Sequence, residues 1–359
     1  MVGDYVVVDG VVHGYNWTKE NWAIPEAAIT SAAGAGFHKF LTKDDDSRLT
    51  EEEFLRNWGA DELEEILFLE AGVDIAAYHG TPIWDFYKDG HSDTEKGFVL
   101  RERNPNRVIV YGAVNPFDGA AALDRVRYLV NERGVDGLKV YAASYHDRVT
   151  RNQPLDDPDY AYPFIELALD LGVKVIATHK AMPFGPVRAE PYGVGDLAAP
   201  CAMYPEMNFE VVHSGFAFVE DTAFLCSFPN VWLNLEASFG LLLNAPDRFA
   251  RFFGDFLNAG AARKMFFATG CALAHPLPVI EAFLDFQMPQ HLVEGYGYPL
   301  ITDEIRRDVL GLNLLRLHQI DPATRLAELA GDQWSVRRAS EGGGAPYSHF
   351  RAAQARAKD

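Results

Sequence analysis

Val173-Lys-Val-Ile-Ala-Thr-His179-Lys180 is a β-branched run that starts after Gly172 and stops before a turn cluster of Pro183, Gly185 and Pro186. A short, almost wholly apolar run of this kind reads as a buried parallel strand. It ends in a histidine where the chain leaves the sheet. In parallel α/β proteins ligands bind at the carboxyl ends of strands. Working outward from this run, other segments repeat the pattern. Tyr5–His13 reads as strand one, Val73–His79 as two, Arg107–Val114 as three and 137–141 as four. After the opening run come Asn208–His213, Val231–Glu236 and Lys264–Thr269. Helical patterns separate them, among them Glu51–Gly72, Asp118–Arg133, Asp159–Leu171 and Leu241–Gly260, so eight strands alternate with helices. That order predicts an α/β fold, a (β/α)8 TIM barrel. A doubly wound open sheet is the competitor, and it lacks a Gly-rich phosphate loop after strand one.

The barrel is expected as one domain over residues 1–325, with a lid-like insertion at 15–50 and a tail at 326–359. Trp17 and Trp22 in the insertion suit a substrate lid, and equally suit half-buried padding. After an amphipathic helix at Asp303–His318, a C-terminal helical extension, the last thirty or so residues read as loosely attached because of Gly342-Gly343-Gly344 and an Ala/Arg end.

Formal net charge is −19 over 359 residues, which argues against nucleic acid or an anionic membrane as the main partner. Three cysteines without paired spacing suit a reduced, cytoplasmic protein. The first residues go straight into a strand without a basic leader, and no apolar run reaches the ~18–20 residues of a membrane span.

If the barrel closes, its mouth presents His13, His79, Lys139, His179, His213 and Glu236. Imidazole and carboxylate donors converging there suit zinc or iron. Six polar groups exceed one tetrahedral ion, so two metals bridged by a carboxylate are also compatible. A lone histidine at a strand end is ordinarily a satisfied loop residue; four at matching ends shift the reading to a site. Glu236 could cap a turn, yet a buried carboxylate is costly unless paired or metal-bound. Lys139 could be a carbamate-type ligand, a substrate-binding cation or a partner for Glu236. Asp9, deeper on strand one, is expected to orient a ligand. Lys180 points to the face opposite His179 and is expected to be structural or to support a ligand from behind. His38, His91, His146, His291, His318 and His349 fall on helices, loops or tail and read as ordinary; His275 stays open. Cys271 is expected to pack rather than attack.

These strand ends resemble the amidohydrolase superfamily, in particular its amidohydrolase-2 branch of metal-dependent decarboxylases. The stretches that carry it are Val-Asp-Gly-Val-Val-His13, Gly-Leu-Lys139, Thr-His179-Lys, Val-Val-His213-Ser-Gly and Ala-Thr-Gly270-Cys271, in order from about residue 5 to residue 320. The resemblance implies a distorted barrel with a metal at the mouth and, by analogy, dimers. Two departures stand out. The superfamily opens with Asp-x-His-x-His, and Val11 replaces the first histidine. Its eighth strand ends Gly-Thr-Asp, whose aspartate binds metal and moves protons; Gly270 stands there. With His79 and Glu236 added, the pattern is similar to a divergent subset that includes the diiron hydroxylase of platensimycin and platencin biosynthesis. That resemblance implies a non-haem diiron monooxygenase: His13, His79, His179, His213 and Glu236 on two Fe ions, Lys139 and Glu236 in the chemistry, molecular oxygen as co-substrate and a bulky terpenoid acyl-coenzyme A as substrate. The alternatives are a mononuclear Zn or Mn hydrolase or non-oxidative decarboxylase on His13, His179 and His213, and a non-catalytic binding barrel.

Overall fold

The computed structural model describes residues 2–43 and 46–358. Eight strands form one all-parallel sheet in chain order: β1 (Val8–Val12), β2 (Ile75–His79), β3 (Val108–Ala113), β4 (Gly137–Tyr141), β5 (Val175–His179), β6 (Asn208–Val212), β7 (Val231–Asn234) and β8 (Met265–Phe266). The sheet closes back on itself. Gly10 N donates to the Phe267 carbonyl at 3.0 Å, Gly270 N to Val11 at 3.0 Å and His13 N to Cys271 at 2.6 Å. Eight strands wrap into a cylinder because a parallel sheet must bury both faces. Here the inner face is filled by Val8, Ile75, Tyr111, Ala177 and Phe266, and the outer face is covered by helices. The (β/α)8 expectation stands.

Several local expectations need correction. β8 is two residues long, because its continuation Phe267–Thr269 bonds to the chain on either side without forming a ladder. The expected long helix over 51–72 is three pieces: Glu51–Phe54, a break at the buried Trp58, then Ala60–Glu64 running into a wider π turn to Glu70. The insertion after β1 contains a helix, Ala27–Leu41, unpredicted because its Ala/Gly composition leaves a weak apolar stripe. An antiparallel hairpin, Ala143–His146 with Val149–Asn152, follows β4 and was not foreseen.

The tail is the largest correction. It forms helices Pro322–Leu329, Gln333–Glu341 and Ser348–Lys358 and packs on the barrel through the buried Trp334, Tyr347 and Phe350. Buried Glu70 accepts from Tyr347 N (2.8 Å) and His349 N (2.6 Å), while its Oε2 lies 2.8 Å from His275 Nε2. The glycines that suggested looseness are the turn that lets the last helix reach this carboxylate. Among the described residues no helix is long and apolar enough to cross a membrane.

Candidate active site

His13 leaves β1 where the β1–β2 register shifts between Asp9 and Val12. Its Nδ1 sits 2.8 Å from the His79 carbonyl. A carbonyl only accepts, so Nδ1 carries the proton and Nε2 keeps its lone pair. The same logic fixes His179 at the end of β5. Its Nε2 lies 2.7 Å from the Met182 carbonyl, so Nε2 is protonated and Nδ1 is free. The ring is seated on Tyr141 at 4.2 Å between centroids. His213 follows β6 with φ +67°, and its Nε2 lies 3.1 Å from the unprotonated His179 Nδ1, to which it donates.

Glu236 follows β7. Its backbone N–H is held by Asn234 Oδ1 at 3.1 Å, its Oε2 is 3.3 Å from His213 Nε2, and its Oε1 is 3.9 Å from His13 Nε2. Gly270, the residue that departs from the superfamily pattern, faces this carboxylate directly. A Cβ at 270 would collide with Glu236 Oε1, and the glycine's φ is +68°. The carboxylate from strand seven therefore fills the space that a strand-eight side chain would take.

All four groups are buried. Burial pushes the three imidazoles down, His13 to about 3, with the Lys139 charge adding to the effect on each. They are neutral and have lone pairs to give. Burial pushes Glu236 up, and Lys139 opposes that shift; Lys139 is itself pushed down by burial, offset by Glu236 and Glu210. The Lys139 ammonium has no hydrogen-bond partner among the described residues and stands 5.7 Å from the Tyr141 ring centre.

The donor set fits a divalent metal in kind: neutral nitrogens with two tautomers fixed by backbone carbonyls, plus a carboxylate. It also fits in two spacings. Ligands bound at about 2.1 Å stand about 3.0 Å apart at a right angle and about 3.4 Å apart at the tetrahedral angle. The 3.1 and 3.3 Å separations around His213 fall there. His13 lies farther out, and among the described residues no three His, Cys, Asp or Glu side chains form a finished cage.

Above these groups opens a cavity of about 320 Å³, lined by His13, His179, His213 and Glu236 on one side and largely by aromatic residues on the other. Tyr15, Trp17, Thr30, Gly34 and Phe37 come from the insertion, so its helix and aromatic rings form a wall over the mouth. Phe184, Phe216 and His91 complete it.

The structure does not bring the other expected residues into this cluster. His79 stacks on Tyr111 at 4.0 Å, its ring centre is 6.3 Å from that of His13, and it is absent from the cavity lining. It contributes its carbonyl to His13 instead. Asp9 accepts from Thr269 N (2.9 Å), Thr269 Oγ1 (2.5 Å) and Val11 N (3.3 Å), so it braces β1 against the chain before Gly270 rather than orienting a histidine. Lys180 is paired with Asp196 at 2.7 Å. Cys271 is buried, and burial with the Asp9 and Glu70 charges holds its thiol well above its ordinary value. His275 caps the helix Pro276–Asp285 and is paired with Glu70. The residue that sequence reasoning passed over is His91. Its position in the loop after β2, a few residues beyond the aromatic Trp84, Phe86 and Tyr87, is the signal that the chain offers.

No curated protein sequence matches the chain. Among solved structures it resembles a TIM-barrel protein from Bordetella bronchiseptica, with TM-score 0.61 and 15% identity over 91% of this chain and 99% of that one. It also resembles 5-carboxyvanillate decarboxylase from Novosphingobium aromaticivorans, complexed with manganese and 4-hydroxy-3-methoxy-5-nitrobenzoic acid. There the TM-score is 0.57 at 12% identity, over 88% of this chain and 97% of that one. A third likeness is 2,6-dihydroxybenzoate decarboxylase from Rhizobium, with TM-score 0.52 and 14% identity over 87% and 98%. At these identities the structures speak for the fold. The sequence profile of the amidohydrolase family matches residues 39–318, which is most of the chain and every strand after the first; this protein belongs to the amidohydrolase family.

Proposed function

We propose that the chain is a metal-dependent, non-oxidative enzyme, a decarboxylase or hydrolase of a small planar substrate, with His13, His179, His213 and Glu236 holding one divalent ion. The observation that carries this reading is His213 Nε2, which lies 3.1 Å from His179 Nδ1 and 3.3 Å from a Glu236 oxygen under a partly aromatic cavity. Two of its structural likenesses are decarboxylases, one of them with manganese bound. An ion held there would act as a Lewis acid toward a substrate oxygen.

The chain's own residues do the rest. The walls from Tyr15, Trp17, Phe37, Phe184 and Phe216 hold a flat ring and exclude water. Glu236 occupies the volume next to Gly270 and is the carboxyl positioned to hold or release a proton beside a bound substrate. Lys139 supplies a buried positive charge that favours the ionised form of Glu236. Cys271 takes no part.

Elemental analysis of protein purified without added metal should find about one divalent ion per chain. H179A and H213A should lose it, and anaerobic protein should keep its turnover of aryl carboxylates. The second reading, a two-iron oxygenase, draws on His79 and Glu236 as extra donors. His79 stacked on Tyr111, away from the cavity, counts against it. Two irons per chain with oxygen-dependent turnover would establish that second reading and sink the first.

A further inference from the structure

His91 is 1% exposed, lines the same cavity, and has an Nε2 with no hydrogen-bond partner among the described residues. A buried polar atom left without a hydrogen bond is costly unless something else supplies the bond. The protein goes to some length to place this ring. Gly90 and His91 both have φ +81°, unusual for a non-glycine residue. Asp89 holds the bend, accepting from His91 N (2.8 Å), Asn16 Nδ2 (2.9 Å) and Asn21 Nδ2 (2.7 Å). Asn16 N donates to the His91 carbonyl at 2.7 Å. The imidazole stacks on Tyr15 at 4.5 Å and on Tyr87 at 4.2 Å, and meets Trp17 edge to face at 4.1 Å. With its faces covered by tyrosines, only its edge is left to bond.

A second residue of the same wall, Trp17, also carries a buried ring nitrogen without a partner among the described residues. No Lys or Arg is among the residues lining the cavity, so a polar substituent there meets hydrogen-bonding groups rather than a fixed cation. Burial keeps the His91 ring neutral, able to donate from one nitrogen and accept at the other.

We propose that His91 is a substrate-positioning residue, its imidazole edge hydrogen-bonding an oxygen substituent of a planar ring held between the aromatic walls. The inference rests on this cavity being the substrate site of the reaction proposed above. Its test uses metal-free protein, so it can fail or succeed independently of the metal assignment.

The probes are phenol and toluene, which share a shape and differ by the hydroxyl. Calorimetric titration should show that the wild type prefers phenol. H91F, which keeps a flat ring but no nitrogen, should lose about tenfold of that preference. H91Q, which restores a polar atom near the Nε2 position, should regain most of it. In the wild type, the ¹⁵N resonances of the His91 ring should shift with phenol and not with toluene; this readout needs no variant to fold. An unchanged preference in H91F, a wild type indifferent to the hydroxyl, no recovery in H91Q, or resonances that ignore phenol would each overturn the proposal.

Discussion

At residue 270 a side chain is excluded twice, by the carboxylate of Glu236 and by a backbone at φ +68°. G270A should therefore destabilise by about 1–3 kcal/mol in chemical denaturation. Adding E236A should recover the collision part and leave the backbone part, so the two changes should be non-additive. Glu210, lower in the barrel, tests a different residue-scale effect. Its carboxyl bonds Tyr111 Oη and Asn234 Nδ2, and burial raises it from 4.5 to about 7. Between those values the folded protein keeps a proton that the unfolded chain releases. The contribution is thus complete below about pH 4.5 and lost as pH rises through 7. At most about 3 kcal/mol is involved. E210Q should flatten the fall in melting temperature between pH 5 and 8; an equal fall in both proteins would refute this.

Among the elements, the helix Ala27–Leu41 decides how the cavity is roofed. Gly34 sits inside it, where alanine would ordinarily gain about 1 kcal/mol in helix propensity. Here a Cβ at 34 would collide with the Trp17 indole, which packs on that glycine. Overpacking costs about 1–3 kcal/mol and wins. G34A should lower the melting temperature and, by shifting a cavity wall, raise KM several-fold while kcat stays within about twofold. A drop in kcat with KM unchanged would show that the helix serves the chemistry and not the substrate. The same paired measurement separates a lid from padding, a choice that the aromatic content of the insertion alone left open.

For the molecule as a whole, the final helices are part of the fold. Arg107 pairs with Asp332, Arg337 Nη1 meets Glu65 at 2.7 Å, and the Phe350 ring packs on Trp58 at 5.2 Å between centroids. Deleting residues 343–359 would strip Tyr347 and Phe350 from the core and leave the Glu70 carboxylate without two donors. Truncation of two aromatics and the lost bonds should together cost about 5 kcal/mol or more. Calorimetry should find the truncated chain melting at least about 10 °C lower, or failing to fold. An unchanged melting temperature would mean that the tail is an appendage after all.

The barrel, the order of its strands and the presence of His13, His179, His213 and Glu236 at its mouth were legible in the sequence. Strand periodicity and β-branched runs are local signals, and a parallel barrel has one place to put the carboxyl ends of its strands. Which of those residues meet was not legible. Stacking on Tyr111 keeps the His79 ring out of the cavity lining. The Glu236–Gly270 contact joins strands seven and eight through side-chain volume, which no spacing along the chain encodes. His91 and the Glu70 clamp on the tail also depend on contacts between distant segments, Asn16 with Asp89 and Glu70 with Tyr347. Local pattern settles which elements form and in what order; packing among residues far apart in the chain settles which side chains share a site.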